Sequence, residues 1–110
     1  MNDRFYKKIA LFRTKIRQEL VPILKEKGFS VQYDNEEVLD EIGDGYRRYI
    51  FRLEFLGKKK VEIYNNDWRD YTEYFNIDIN GEQSLLLNID KYDNLDFALR
   101  EMKKNIIDSL

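Results

Sequence analysis

The stretch Tyr46 to Ile79 constrains this chain more than any other, because its side chains alternate between apolar and polar with a period of two. Tyr49, Phe51, Leu53 and Phe55 fall on one side, and Arg48, Ile50, Arg52 and Glu54 on the other. That is the pattern of a strand with one face in a core. Val61-Glu62-Ile63-Tyr64 repeats it, and Tyr71 to Ile79 repeats it again with Phe75, Ile77 and Ile79 aligned. Three strands that share one apolar face need a cover, which the rest of the chain must supply.

Residues directly opposite in an antiparallel pair point to the same side of the sheet, so turns can be set by matching apolar faces. A two-residue turn at Gly57-Lys58 would pair Phe55 with Lys60. A three-residue loop, Gly57 to Lys59, pairs Phe55 with Val61 and Leu53 with Ile63, and is the expected register. Asn80-Gly81 favours a two-residue type I′ turn, which would set Ile77 opposite Ser84 although Leu85, Leu87 and Ile89 form the inward set. A three-residue loop or a β-bulge is predicted there.

The flanks read as helices. Asp3 caps a run whose apolar positions Phe5, Ile9, Phe12, Ile16, Leu20 and Ile23 step by three and four. Pro22 removes a backbone donor near its end, and Gly28 suits the left-handed closing position, with Phe29 packing back on Leu24. Asp93 or Asn94 caps a last helix with the stripe Leu95, Leu99, Met102, Ile106 and Leu110, and Asp96 sits well in its first turn. Phe29, Val31 and Tyr33 give a short first strand, and Leu85 to Ile89 the last. The expected fold is α+β: one domain over residues 1–110, built as a helix, an antiparallel meander of about five strands and a helix, with both helices on one sheet face. A chain of 110 residues buries about two thirds of its unfolded surface and needs no staples.

Composition narrows the chemistry. The chain has no cysteine and no histidine, which removes disulfides, thiolate metal sites, Cys nucleophiles and the usual general base near neutral pH. No apolar run is long enough to span a bilayer, and the first residues are periodic and charged where a signal peptide would be continuously apolar. A cytoplasmic protein is expected, with no membrane partner. The abundance of Lys, Asn, Ile, Asp and Tyr points by association to an AT-rich bacterial or phage genome.

The net charge of −2 is distributed in blocks: eight bases and three acids in residues 1–27, six acids and no base in 34–45, six bases and one acid in 46–60, and two bases and nine acids in 61–96. Such blocks attract each other within a fold, or attract a partner. The 34–45 block fails as a calcium loop, because Ile42 and Phe51 fall where the third and twelfth positions need ligands. It is expected to be a mobile acidic loop that steers a partner.

With both helices on the inner face, function belongs to the outer one. The registers above place Arg52 beside Tyr64 and Thr72, and Glu54 beside Glu62 and Tyr74, with Ile50, Asn76, Leu86 and Asn88 nearby. Asn65 to Asp70 is a turn by composition and carries the only tryptophan, Trp68, beside Arg69. There is no phosphate-binding glycine loop, no nucleophile with a base at a recognisable spacing and no dinucleotide fingerprint. Glu101-Met102-Lys103, an acid-x-lysine, lies on a helix with Met102 inward.

The leading expectation is therefore a small non-enzymatic protein-binding module, an inhibitor, immunity-type protein, chaperone or adaptor, that uses Tyr64, Trp68, Arg69, Tyr74, Arg52, Glu54 and Glu62. No catalytic residue, cofactor or metal site is assigned. Homodimerisation through the outer face or an edge strand is a further expectation.

A second expectation is RNA or DNA binding through Arg4, Lys7, Lys8, Lys15, Arg48 and Arg52, the first four surrounding Leu11 on one helix strip. The helix, strands, helix order resembles a double-stranded RNA-binding domain in layout, and Arg48, Arg52, Tyr64 and Tyr74 resemble an aromatic and basic sheet surface. That family's histidine-bearing loop and lysine cluster are missing, since the last helix opens Asp93-Asn94-Leu95-Asp96, so no family is assigned. A third expectation is a carboxylate-metal enzyme using Glu54 and Glu62.

Overall fold

The computed structural model describes residues 3–38, 47–67 and 73–110, with the side chains of 3–6, 37–38, 47 and 66–67 left undescribed. Trp68, Arg69 and the expected acidic loop beyond residue 38 lie outside the described residues.

The chain opens with α1 (Asp3–Lys15), a π-helical turn (Ile16–Leu20) and α2 (Val21–Glu26), which together form one helical rod. The π turn ends at Leu20, with Val21 between it and Pro22; the Pro22 ring takes the space of the carbonyl four residues back, and Val21 donates to the Ile16 carbonyl five back. The extra residue rotates the apolar stripe. Ile9, Phe12, Ile16 and Leu20 are buried as expected, but beyond the π turn Val21 and Leu24 face the core while Ile23 is half-buried. Gly28 closes the rod at φ +109°, and a Cβ there would lie 3.0 Å from the Phe55 ring.

Five strands follow in a meander: β1 (Phe29–Val38), β2 (Arg47–Phe55), β3 (Lys59–Asp67), β4 (Tyr74–Ile79) and β5 (Glu82–Asn88), antiparallel and in sequence order across the sheet. A 3-10 turn (Ile89–Lys91) leads to α3 (Leu95–Asp108), capped by the Asn94 side chain, which accepts from Asp96 N at 2.9 Å. The α3 stripe is Leu95, Ala98, Met102 and Ile106, with Leu99 packed at its margin. Leu110, expected to belong to it, is 47% exposed beyond the helix end. The two rods cover one sheet face, and the core joins their stripes to Phe51, Leu53, Val61, Ile63, Phe75, Ile77 and Leu87. Phe12 meets Phe75 edge to face at 4.8 Å, a geometry favoured by the ring quadrupoles. The α+β meander with both helices on one face is the architecture the periodicities imply.

Several registers differ from expectation. Phe55 pairs with Lys59, Leu53 with Val61 and Phe51 with Ile63, so the loop has three residues but is Leu56-Gly57-Lys58. The shift is two positions, which leaves the inward set unchanged. It places Lys59 on the inner side, where its ammonium reaches the Ser109 carbonyl at the end of α3 and a cation is favourable.

At Asn80-Gly81 the two-residue turn and the bulge coexist. Ile79 pairs with Glu82 and Asp78 with Gln83, but Ile77 pairs with Leu85, leaving Ser84 as the extra residue. Asn105 of α3 meets that bulge, its Oδ1 2.8 Å from Ser84 Oγ and its Nδ2 3.4 Å from the Ser84 carbonyl.

The first strand is longer than expected and takes in residues 34–38 of the acidic block, which pair with Arg47 to Phe51. Asn65 to Asp67, expected in a turn, belong to β3. A bulge at Gln32 separates the pair Val31–Leu53 from Tyr33–Arg52. It sends Tyr33 to the outer face and Asp34 to the inner one.

Candidate functional site

Among the described residues, no helix packs on the outer face. Its centre is a lattice of arginines and tyrosines set by the cross-strand registers. Arg48 lies over the Tyr64 ring at 4.7 Å. Arg52 lies over Tyr33 at 5.7 Å and bonds Glu62, Nε to Oε2, at 2.9 Å. Asn76 Nδ2 donates to Tyr64 Oη at 2.6 Å. Tyr64 and Asn76 are cross-strand partners, which accounts for their contact. Burial raises the Tyr64 hydroxyl above its ordinary pKa, reinforced by the charge of Asp78 and opposed by Asn76 and Arg48. Beneath this layer Ile50 is 0% exposed and lies outside the main core cluster. It was expected to add apolar surface to the outer face and adds none. The oxygen of Asn76 is buried with no hydrogen-bond partner.

The expected neighbours are rearranged by two register differences, the shift between β2 and β3 and a separate one between β3 and β4, where Tyr64 was expected beside Thr72 and Glu62 beside Tyr74. Arg52 stands opposite Glu62 and not Tyr64, and Glu54 stands opposite Lys60 and not Glu62. Glu62 faces Asp78, Tyr64 faces Asn76, and Tyr74 faces Asn88. The Glu54–Glu62 carboxylate pair is therefore not formed; an arginine holds Glu62. No cluster of three or more potential metal ligands occurs among the described residues. Tyr74, half-buried, lines an open recess of about 350 Å³ with Leu86, Asn88, Lys91 and Tyr92, at the edge where Leu86 is 48% exposed.

The basic strip of the first helix is partly engaged within the fold. Lys8 donates to the Tyr92 carbonyl at 2.8 Å. Lys15 bonds Asp96 at 2.6 Å and Glu19 at 3.2 Å, and Asp96 first, then Glu19, raises its pKa. Lys7 is exposed and Leu11 is 51% exposed. The Arg4 side chain is outside the described set.

A polar cluster that periodicity did not reveal lies at the rim of the inner face. Arg17 grips Asp34 with two bonds, 2.9 and 3.0 Å, and both touch the Tyr49 hydroxyl. Arg13 lies over the Tyr49 ring at 4.9 Å and holds Asn65 Oδ1 through Nε at 3.2 Å and a terminal nitrogen at 2.5 Å. Asn65 is the one buried polar residue among those described, and its Nδ2 donates to the Tyr74 carbonyl at 3.0 Å. Arg17 holds the Asp34 carboxyl below the usual carboxylate range, against the opposing effect of burial, with Tyr49 adding to the lowering. Burial is the main cause raising Tyr49, and the Asp34 charge adds to it. The signal for this cluster was Asn65 itself, a polar side chain at an inward position two residues after Ile63.

No helix among the described residues is long and apolar enough to cross a membrane. No family model, no curated protein and no solved structure matches this chain.

Proposed function

We propose that this protein is a small non-enzymatic protein-binding module whose contact surface is the helix-free face of the sheet. The observation that supports this is the lattice of Arg48 on Tyr64 and Arg52 between Tyr33 and Glu62. Arginine and tyrosine dominate the energetically important positions of protein interfaces. Here their planar groups are fixed on adjacent strands before any partner arrives, which lowers the entropy lost on binding. The charges of this face are mixed: on β2 to β4, Arg48, Arg52 and Lys60 stand among Glu54, Glu62 and Asp78. Such a surface suits a partner of mixed charge better than a polyanion, which needs an excess of cations.

The test is an interaction measurement with a partner isolated from the encoding organism, identified and then purified. Arg48→Ala and Tyr64→Ala should each weaken binding by about tenfold or more, with an unchanged circular dichroism spectrum. Unchanged affinity in both variants would remove the face from the reading. Binding to nucleic acid that falls steeply with salt and needs Lys7 and Arg48 would favour the RNA or DNA alternative instead. Sedimentation at low and high concentration tests whether the partner is a second copy.

A further inference from the structure

Two tight turns lie side by side at one end of the sheet. Leu56-Gly57-Lys58 joins β2 to β3 and Asn80-Gly81 joins β4 to β5. They are neighbours because Asn80 N donates to the Lys60 carbonyl and Lys60 N to Asn80 Oδ1, both at 2.8 Å. Each has two consecutive positive φ angles, 51° and 66° at Leu56-Gly57 and 54° and 85° at Asn80-Gly81, as a type I′ turn requires.

Asparagine tolerates the left-handed region because its short amide bonds locally, whereas leucine meets its own following carbonyl there. Leu56 is also 71% exposed, the highest value among the exposed large hydrophobics described. It therefore carries backbone strain and unburied apolar surface at a position where its neighbour shows that Asn carries neither. Among the described residues Leu56 does not join the hydrophobic core, and strain of this kind concentrates at functional sites.

We propose that Leu56 is the apolar anchor of a second docking site, distinct from the sheet face, and that it takes a protein partner with an apolar pocket rimmed by carboxylates. The rim follows from charge. Lys58 is exposed at the turn with no ion pair among the described residues, and Lys60, which stands opposite Glu54 at the end of the sheet, is exposed on its other side. Lys59 turns inward to the Ser109 carbonyl, which brings Leu110, 47% exposed, to the same end.

An anionic bilayer is the weaker occupant by magnitude. A whole myristoyl chain binds with an association constant of only about 10⁴ M⁻¹. One leucine is a small part of such a chain, and each lysine adds roughly a factor of five. A second copy docking there would make a head-to-tail contact, which closes into a ring or runs on into an open filament.

The first test replaces Leu56 by Asn, the residue of the sister turn. Relief of strain should raise the melting temperature by about 3–6 °C, and affinity for the partner should fall about thirtyfold. The second places photoreactive p-benzoylphenylalanine at position 56 in the whole chain, irradiates it in a lysate of the encoding organism, and sequences the adduct. An adduct on one protein, in a segment combining apolar residues with Asp or Glu, together with loss of that complex in Leu56→Asn, supports the site. A melting temperature unchanged or lowered in Leu56→Asn overturns it. So does an adduct with a second copy only or no adduct, or Leu56-dependent co-sedimentation with phosphatidylserine vesicles in place of a protein adduct. Arg48→Ala, which should spare this adduct, separates the site from the sheet face.

Discussion

The two faces of the sheet use the same chemical parts for different ends. At the inner rim an arginine, a carboxylate and a tyrosine meet as Arg17, Asp34 and Tyr49. On the outer face they recur as Arg52, Glu62 and Tyr33. The inner set joins the π turn to β1 and β2, and with Arg13 and Asn65 it extends to β3. It fastens one layer to another. The outer set joins β1, β2 and β3, which backbone hydrogen bonds already hold. An arginine–carboxylate pair therefore does not reveal its role by its own geometry; what it bridges does.

The largest expected effect tests whether the outer face has a core of its own. Phe51 and Ile50 are adjacent in β2 and exposed by 1% and 0%. Phe51→Ala should cost about 3–5 kcal/mol. Ile50→Ala should cost about 2 kcal/mol, at the low end for such truncations, because a layer one side chain deep can close over the cavity. Urea melts at neutral pH measure both, and equal costs would show a second core and end the contrast between the faces.

A smaller effect should separate the two ion pairs. Asp34→Asn is expected to cost about 1 kcal/mol at pH 7, near the upper end for partly exposed pairs. Because Asp34 has a folded pKa below its ordinary 3.8, its stabilisation is present above that value and lost as the pH falls through the folded one. The gap between wild type and Asp34→Asn should therefore be full at pH 7 and close in strong acid. A gap that does not change with pH would mean that the pair is not the source. The smallest effect belongs to Arg52→Met, expected to shift stability by no more than about 0.5 kcal/mol while weakening partner binding. If it destabilises as much as Asp34→Asn, the outer lattice also holds the fold together.

The inward set was legible because a period of two is written into the strand itself; Phe51, Leu53, Val61, Ile63, Phe75 and Ile77 are all buried. The β2–β3 register was not. Sliding a strand by two residues keeps every side chain on its face, so matching apolar positions cannot choose between Val61 and Lys59 as the partner of Phe55. The outer neighbours across β2 and β3 moved with that slide, and the expected Glu54–Glu62 pair became Arg52–Glu62 and Glu54–Lys60, while those across β3 and β4 moved separately, from Tyr64–Thr72 and Glu62–Tyr74 to Tyr64–Asn76 and Glu62–Asp78. That the chain near Ser84 must carry either a longer loop or a bulge could be deduced, because Asn80-Gly81 and Leu85 made conflicting demands, and the structure selects the bulge. The bulge at Gln32 left no such conflict, and it alone decides that Tyr33 joins the outer lattice and Asp34 the inner rim.

From its residues alone this chain determined an antiparallel meander, the apolar side of each strand and the two helical rods that cover that side, because these follow from spacings of two, three and four along the chain. Which residues stand opposite each other on the free face was decided by contacts between distant parts. Lys59 reaches the end of α3, Asn105 meets the bulge of β5, and Arg17 draws in Asp34. The physical reason is that hydrogen-bonded strands can slide in steps of two without changing what is buried, so only partners from elsewhere in the fold remove the ambiguity.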